Sequence, residues 1–278
     1  MTTPITVRTE GRIAFVTIDH PPVNGLSHSV RVGLYDAFTR ITSDHEIDGV
    51  VLHGAGRAFS AGGDIREFGT PAASADPGLS LHVHPAMEFC GKTVVAAIHG
   101  YALGGGLETA MACAYRVATP DARLGLPEAR LGVIPLSGTQ RLPRLIGAEP
   151  AIDMILNARE VRACDAPSGL IDAIAETDAL LDVAAGFARG PSRSLVRDLP
   201  YPADAARAFA QARTALAAGD YPPFAAHLLD AMQCGVDVDF EDGLSGARAV
   251  YDAVVNSPQS RAAQATFLAR SPRHESRS

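Results

Sequence analysis

The chain has 278 residues, of which 47% are hydrophobic and 20% are charged, and this composition excludes a disordered chain. The formal net charge of −7 disfavours nucleic acids and acidic membrane surfaces as partners. No apolar run approaches the ~20 residues of a membrane span. The N-terminus has no secretory signal pattern, and the four cysteines form no C-x-x-C pair. We therefore expect a soluble, unprocessed protein of the reducing cytoplasm.

The first two thirds of the chain alternate short β-branched runs with helical patterns, which indicates an α/β fold. Strands are predicted at 13–18, 49–52, 93–98 and 115–118. Segments with apolar residues at helical spacing separate these strands. The spacing predicts a coil of similar strand-helix units rather than one hairpin sheet.

Beyond about residue 137 the pattern becomes helical, with one further extended run at 170–174. The predicted helices are Ala-rich and amphipathic, and they cover 138–157, 178–188, 203–218, 222–234, 241–256 and 258–269. The loop 190–202 contains three prolines and is the best candidate for a linker. We predict a core domain over 1–190 and a helical C-terminal region over 191–278.

Several common catalytic motifs are absent. The glycines at 104–106 are not followed by the last glycine of G-x-G-x-x-G or by a P-loop lysine. Neither Ser60 nor Ser137 lies in a G-x-S-x-G nucleophile elbow. His82 and His84 stand two residues apart without a third ligand at a metal-like spacing, so we interpret them as surface histidines and expect no metal site.

Two glycine-bearing turns are the candidates for chemistry. In the first, 58–65, small residues leave the backbone open to a ligand, and Gly63 can adopt dihedrals closed to other residues. A simpler interpretation is a strand-to-helix turn that Asp64 caps. The second, 99–108, places three glycines before an apolar helix, whose free N–H groups and dipole would stabilise an oxyanion.

Two glutamates accompany these turns. Glu108 lies one helical turn after Gly105 and therefore on the same face, although a first-turn glutamate could also merely complement the helix dipole. Glu128 follows an apolar run and is not obviously directed at solvent. Two glutamates at one site can act as general base and general acid, which the addition of water to a double bond requires. An apolar cleft would tune their pKa values.

Four segments resemble the crotonase, or enoyl-CoA hydratase/isomerase, superfamily: FSAGGDI, VVAAIHGYALGGGLETAMAC, LGLPEARLGVIP and GTQRLPRLIG. The resemblance covers about residues 5–190 well and the remainder loosely. It is closest to the N-terminal hydratase part of multifunctional fatty-acid oxidation proteins. The resemblance implies a crotonase-like spiral of β-β-α units with a helical C-terminal region. It also implies an acyl-CoA thioester as substrate, with no metal or redox cofactor.

Residue roles follow from the same resemblance. It implies that Gly63 and Gly105 donate the two oxyanion-hole N–H groups and that Glu108 and Glu128 are the paired catalytic glutamates. The residues that it assigns to the adenine and pantetheine ends of coenzyme A are Ala61, Gly63, Asp64 and Ile65. Because the net charge is negative, the phosphates of coenzyme A need local cations, and the candidates beside the turn are Arg57 and Arg66, although each could equally be a solvated surface arginine.

One loop departs from the family pattern. Members commonly read Pro-Gly-x-Gly-Gly-Thr-Gln after the second glutamate, whereas residues 135–140 are one residue shorter. Since this loop shapes the acyl pocket, the range of substrates stays open. We expect an enoyl-CoA hydratase. The alternatives are a 3-enoyl/2-enoyl-CoA isomerase, another crotonase reaction such as thioester hydrolysis or carbon–carbon cleavage, and a non-catalytic binding protein.

Apolar residues of the C-terminal helices bear on assembly. We expect that one α/β core does not cover all of these side chains. The residues are Phe209, Leu216, Phe224, Leu228, Leu229, Val250, Val254, Phe267 and Leu268. The resemblance implies a homo-oligomer, a trimer or a hexamer, in which a neighbour would cover them. A monomer is the alternative if the helices fold back over their own core.

Overall fold

The computed structural model describes residues 3–221 and 224–270, with the side chains of the last helix described up to residue 266. Within this part of the chain the strands are β1 (Ile5–Glu10), β2 (Ile13–Ile18), β3 (Gly49–Gly54), β4 (Thr93–Ile98), β5 (Tyr101–Leu103), β6 (Tyr115–Ala118), β7 (Arg123–Gly125), β8 (Glu160–Arg162) and β9 (Ala173–Ile174).

The helices of the same residues are α1 (His28–Ser43), α2 (Pro71–Ser74), α3 (His84–Glu88), α4 (Gly105–Ala112), α5 (Gly138–Ile146), α6 (Ala148–Leu156), α7 (Leu180–Arg189), α8 (Ala205–Ala218), α9 (Ala225–Gln233), α10 (Phe240–Val254) and α11 (Pro258–Arg270). Short helical turns join them at Ile65–Glu67, Leu79–Val83, Pro127–Leu131, Ala163–Asp165 and Val196–Asp198.

A six-stranded sheet in the order β1-β2-β3-β4-β6-β9 forms the centre of the fold. Only β1 and β2 pair antiparallel in it, and the other neighbours are parallel. Alternate side chains of one strand enter two cores, as Val16 and Phe15 of β2 do. Helix α7 covers the second core, and a parallel sheet covered on both faces explains the β-branched runs of the sequence.

A smaller sheet carries the site. Its order is β5-β7-β8, with β5 and β7 parallel and β7 and β8 antiparallel. Strand β5 leads directly into α4, and β7 leads into the turn Pro127–Leu131. Because parallel neighbours end at the same edge, the residues that follow β5 and β7 come together.

The predicted strands 13–18, 93–98 and 115–118 are confirmed, and the strand predicted at 49–52 extends to Gly54. The prediction of a strand over all of 170–174 is wrong for its first three residues. The Leu170 carbonyl accepts a hydrogen bond of 2.8 Å from the buried Arg116 side chain, and the Asp172 carboxylate lies 2.9 Å from the same guanidinium. These contacts stabilise an irregular path where the sequence suggested a strand.

The predicted helices exist with bounds shifted by a few residues, except that 138–157 is two helices rather than one. Gly147 separates α5 from α6 and has a φ of 89°, a conformation that favours glycine and ends the first helix. No helix of the described residues is long and apolar enough to cross a membrane.

The C-terminal helices pack on their own chain. Phe209, Leu228, Leu229 and Val254 are buried in the main core, so the premise that they need a neighbouring subunit is wrong. Helices α8, α9 and α10 bury them against α5 and α6. The side chains of Phe267 and Leu268 lie outside the described residues. The trimer or hexamer stays a prediction, as does the domain boundary at residues 190–191.

Candidate active site

The turn 58–65 runs beside β5. The Ser60 N–H donates to the Tyr101 carbonyl at 2.9 Å, and the Leu103 N–H donates to the Ser60 carbonyl at 3.0 Å. The Ser60 hydroxyl donates to the Asn24 carbonyl at 2.7 Å, which fixes the outer side of the turn. This pairing brings Gly63 next to the beginning of α4.

The two predicted oxyanion donors lie together. A Cβ built on Gly105 would be 3.7 Å from the Gly63 nitrogen, so both residues face one small space. Among the described residues, neither the Gly63 nor the Gly105 N–H donates to a protein acceptor. A free amide at the start of α4 together with a second one on the neighbouring turn can stabilise negative charge on an oxygen.

The special backbone conformation belongs to Gly62 and not to Gly63, so our prediction for Gly63 is wrong on this point. Gly62 has a φ of 92°, and a Cβ there would lie 2.6 Å from the Leu103 carbonyl oxygen. At Gly63 a Cβ would meet only Phe68, at 3.7 Å. The tight turn is therefore made one residue earlier, and Gly63 is left exposed to a ligand.

Glu108 lies on α4 and is 5% exposed. Its Oε1 atom accepts hydrogen bonds from the Gly138 N–H at 2.6 Å and from the Ser137 hydroxyl at 3.2 Å. Burial raises the pKa of Glu108, while these hydrogen bonds and the charge of Arg141 oppose the rise. The carboxylate is thus buried but still supported in its charged form.

Glu128 lies on the turn Pro127–Leu131 and is 9% exposed. Its Oε2 atom is buried and has no hydrogen-bond partner. Its Oε1 atom occupies the space beside Gly104, where a Cβ would be only 2.6 Å away. Burial raises the pKa of Glu128 well above its usual range, and the nearby charge of Glu108 raises it further.

The two carboxyl groups therefore have unequal environments. Two adjacent carboxyl groups in a site of low polarity do not both ionise, and the proton stays on the group with less support for its charge. Glu108 accepts two hydrogen bonds at Oε1, whereas Glu128 Oε2 accepts none. The difference in support favours Glu108 as the carboxylate that acts as a base and Glu128 as the protonated group that acts as an acid.

The residues proposed for coenzyme A lie at the end of the same turn, where Gly63 is exposed, Ala61 and Ile65 are half-buried and Asp64 is buried. Asp64 caps the turn Ile65–Glu67, as the simpler interpretation expected, by accepting from the Arg66 N–H at 3.0 Å. The Arg66 side chain donates to Asp64 and lies 2.9 Å from His20 Nε2. Arg57 is exposed and makes no side-chain hydrogen bond to the described residues. Contacts of Ala61, Asp64, Ile65 and both arginines with coenzyme A stay predictions.

Sequence reasoning missed the surroundings of Glu108. His84 is 0% exposed, so its interpretation as a surface histidine is wrong, because the turn Leu79–Val83 and α3 bury it against α4. The apolar helical spacing around residue 84 was the available signal. Ser137 was considered only as a nucleophile. Leu26 and Leu79 form an apolar wall, at 3.3 and 3.0 Å from a Cβ built on Gly105.

Among residues 3–221 and 224–270, no three His, Cys, Asp or Glu side chains are grouped so that they could hold a metal ion. The polar groups at the centre of the site include two carboxyl groups and two backbone amides. Carboxyl groups can transfer protons, and the amides can stabilise negative charge on a carbonyl oxygen, so the site suits acid–base chemistry on a carbonyl compound.

Comparison with known proteins agrees with this geometry. Residues 8–224 match the family model described as enoyl-CoA hydratase/isomerase. The chain therefore belongs to the enoyl-CoA hydratase/isomerase family and has the crotonase fold. A crystal structure of an enoyl-CoA hydratase from Mycobacterium avium subsp. paratuberculosis K-10 has the same fold, with a TM-score of 0.69 over 96% of both chains at 22% identity.

Two curated relatives are more similar in sequence. A glyoxysomal fatty acid beta-oxidation multifunctional protein of Cucumis sativus is 42% identical over 190 residues, which are 66% of this chain and 26% of that protein. A probable enoyl-CoA hydratase of Bacillus subtilis is 44% identical over 148 residues, which are 51% of this chain and 57% of that protein. The chain thus spans about a quarter of the multifunctional relative.

Proposed function

We propose that this protein is an enoyl-CoA hydratase, which adds water across the 2,3 double bond of a 2-enoyl-CoA thioester and yields a 3-hydroxyacyl-CoA. The observation that carries the proposal is the unequal pair of buried glutamates, Glu108 and Glu128, beside two free backbone amides. The names of the relatives support the same reaction, and that of the cucumber protein suggests fatty acid β-oxidation as its setting.

In the proposed mechanism the thioester oxygen lies between the N–H groups of Gly63 and Gly105. Glu108 takes a proton from water as the oxygen of that water bonds to C3, and charge moves to the thioester oxygen. Glu128 then gives its proton to C2. The products are the 3-hydroxyacyl thioester, a protonated Glu108 and an ionised Glu128, and a proton passing from the first to the second restores the site.

The isomerase reaction is the second candidate, because the family description names hydratases and isomerases together. Moving a double bond from C3 to C2 needs one carboxylate that carries a proton between two carbons. It has no use for a second carboxyl group that orients water. The presence of both Glu108 and Glu128 in the same buried site therefore favours hydration.

Substrate binding is part of the proposal. The reaction as proposed uses no cofactor besides the coenzyme A of the substrate, and Arg57 is the better candidate for a phosphate contact because Arg66 is engaged with Asp64. Cys90, Cys113, Cys164 and Cys234 are all free thiols, which suits the reducing cytoplasm that we propose as the location.

The test for hydration measures the absorbance of the conjugated enoyl thioester, with crotonyl-CoA and with a long-chain 2-enoyl-CoA as substrates. The test for isomerisation uses a 3-enoyl-CoA as substrate. We expect hydration, and we expect Glu108→Gln and Glu128→Gln each to lower kcat by about 10² to 10⁴ with little change in KM. Turnover of 3-enoyl-CoA without hydration would favour the isomerase. Near-normal kcat in either variant would remove that glutamate from the mechanism.

A further inference from the structure

His84 is a buried histidine that the proposed mechanism does not use. It opens α3, and its ring contacts two hydroxyl groups from distant segments. The Nε2 atom is 3.2 Å from Thr109 Oγ1, and the Nδ1 atom is 3.5 Å from Ser137 Oγ. Burial, with a smaller effect of Arg141, holds the pKa of His84 well below its usual value, so the ring is neutral and carries one N–H.

The hydrogen-bond network determines which ring nitrogen carries that proton. The Thr109 hydroxyl donates its only hydrogen to the Gly105 carbonyl at 2.7 Å. Its oxygen must therefore accept from His84 Nε2–H. This tautomer leaves Nδ1 as an acceptor, with its lone pair toward Ser137.

Ser137 consequently has one hydroxyl proton and two acceptors. Glu108 Oε1 is 3.2 Å away and His84 Nδ1 is 3.5 Å away. The shorter distance puts the proton on the Glu108 side here, which suits an ionised carboxylate. The Gly138 N–H also donates to Glu108 Oε1, at 2.6 Å, so Glu108 Oε2 is the oxygen left to contact water.

We propose that His84 and Ser137 are positioning residues for Glu108, in which the Ser137 hydroxyl donates to Glu108 while that carboxylate is ionised and turns to His84 Nδ1 when Glu108 takes up a proton. The inference rests on the proposed function, in which Glu108 is protonated and deprotonated in every turnover. His84 gives the hydroxyl a partner in the second state, so neither state leaves a buried donor unpaired.

Other groups also bear on the proton affinity of Glu108. Glu128 faces it from the turn Pro127–Leu131, Arg141 from α5 and Tyr251 from α10. These groups stay unchanged in the variants below, so their effects are common to all samples. His84 differs from them because it is uncharged and acts only through the orientation of one hydroxyl.

The test measures the Glu108 pKa directly, by NMR titration of the full chain labelled with ¹³C at glutamate carboxyls and assigned with Glu108→Gln. We expect Ser137→Ala to raise this pKa by about one pH unit, because a carboxylate loses one donor. We expect His84→Leu to lower the Glu108 pKa, because the Ser137 hydroxyl then has the Glu108 carboxylate as its remaining acceptor. In Ser137→Ala, adding His84→Leu should produce no further shift.

The control is His53→Leu, since His53 is another part-buried histidine that contacts a hydroxyl, Thr17 Oγ1 at 2.9 Å, without touching Glu108. An unchanged Glu108 pKa in Ser137→Ala, or a separate His84→Leu shift in the double variant, would overturn the inference. If His84→Leu does not fold, His84→Asn replaces it. This variant keeps a hydrogen-bond acceptor at position 84, so we expect the Glu108 pKa to equal that of the wild type. The Glu108 pKa in Ser137→Ala then still tests the inference.

Kinetics separate this inference from the proposed function. The acid limb of the pH profile of kcat/KM for hydration should move with the NMR pKa of each variant, which a merely structural role would not produce. Wild-type protein with no hydration but with these NMR shifts would contradict the proposed function alone. Hydration with unchanged NMR and kinetic profiles in Ser137→Ala would contradict the positioning role alone.

Discussion

Gly104 leaves the space that the Glu128 carboxylate occupies. Its φ of 53° and ψ of −128° form a combination that residues with side chains rarely adopt. A Cβ at this position would lie 2.6 Å from Glu128 Oε1. Since the clashing atom is the end of a flexible side chain and not backbone, we expect Gly104→Ala to displace Glu128 while the protein stays folded.

The magnitude follows from the contact distance. To reach an ordinary contact of 3.4 Å, the Glu128 oxygen must move by about 0.8 Å. A displacement of about 1 Å at a reacting group can cost roughly 10²-fold in rate, so we expect kcat for hydration to fall by about that factor. The unfavourable backbone conformation adds a loss of about 1–3 kcal/mol in the free energy of unfolding.

Crotonyl-CoA hydration and urea unfolding measure the two effects in the same preparations. Gly56→Ala is the matched control, because Gly56 has a φ of 69° but a Cβ there would meet no atom within 4 Å. It should lose stability and keep wild-type kcat. A folded Gly104→Ala variant with wild-type kcat would refute the idea that proton delivery depends on where Glu128 lies.

Two further predictions concern stability and assembly. The pKa of Glu128 is raised in the folded state above its ordinary value of 4.5, so its stabilising effect is full below that value and is lost as pH rises through the folded pKa. We therefore expect the unfolding free energy of Glu128→Gln, relative to wild type, to increase from pH 5 to pH 8 in urea titrations. A difference in unfolding free energy that does not change with pH would contradict the raised pKa of Glu128. Light scattering should give a trimer or hexamer, whereas the mass of one 29.0 kDa chain would contradict the predicted oligomer.

The parts of the fold that sequence predicted best are the strands buried on both faces. The residues of β2 and β4 are β-branched or alanine, with Phe15 as the exception, so the ends of both strands coincide with changes in composition. Strands β5, β7 and β8 have three residues each, too few for an alternating pattern to be recognised. The break at Gly147 escaped prediction because apolar helical spacing continues on both sides of it.

Within the site, Glu108, Glu128 and Gly105 were identifiable because their residue types suit the chemistry and their motifs are contiguous. His84 was not, because its place near Glu108 depends on contacts with Thr109 and Ser137, which are 25 and 53 residues away in sequence. A pattern over neighbouring residues cannot report such contacts. The loop 135–140 was noted for its length, but that length did not reveal that its serine would support Glu108.

Residues of the helical C-terminal region contact α5, the core helix that supports Glu108. Helix α5 begins at Gly138, and the Gly138 N–H donates to Glu108 Oε1. The position of α5 therefore determines where this hydrogen-bond donor meets the carboxylate. Gln140 donates to the Ala231 carbonyl of α9 at 2.8 Å, and a Cβ at Gly235 would lie 2.2 Å from Gln140 Oε1. The next residue, Arg141, pairs with the buried Glu88 at 2.6 Å, and Arg197 also contacts Glu88, at 3.2 Å. Because residues beyond 190 thus hold the helix that supports Glu108, the environment of this carboxylate depends on residues from both sides of the predicted boundary.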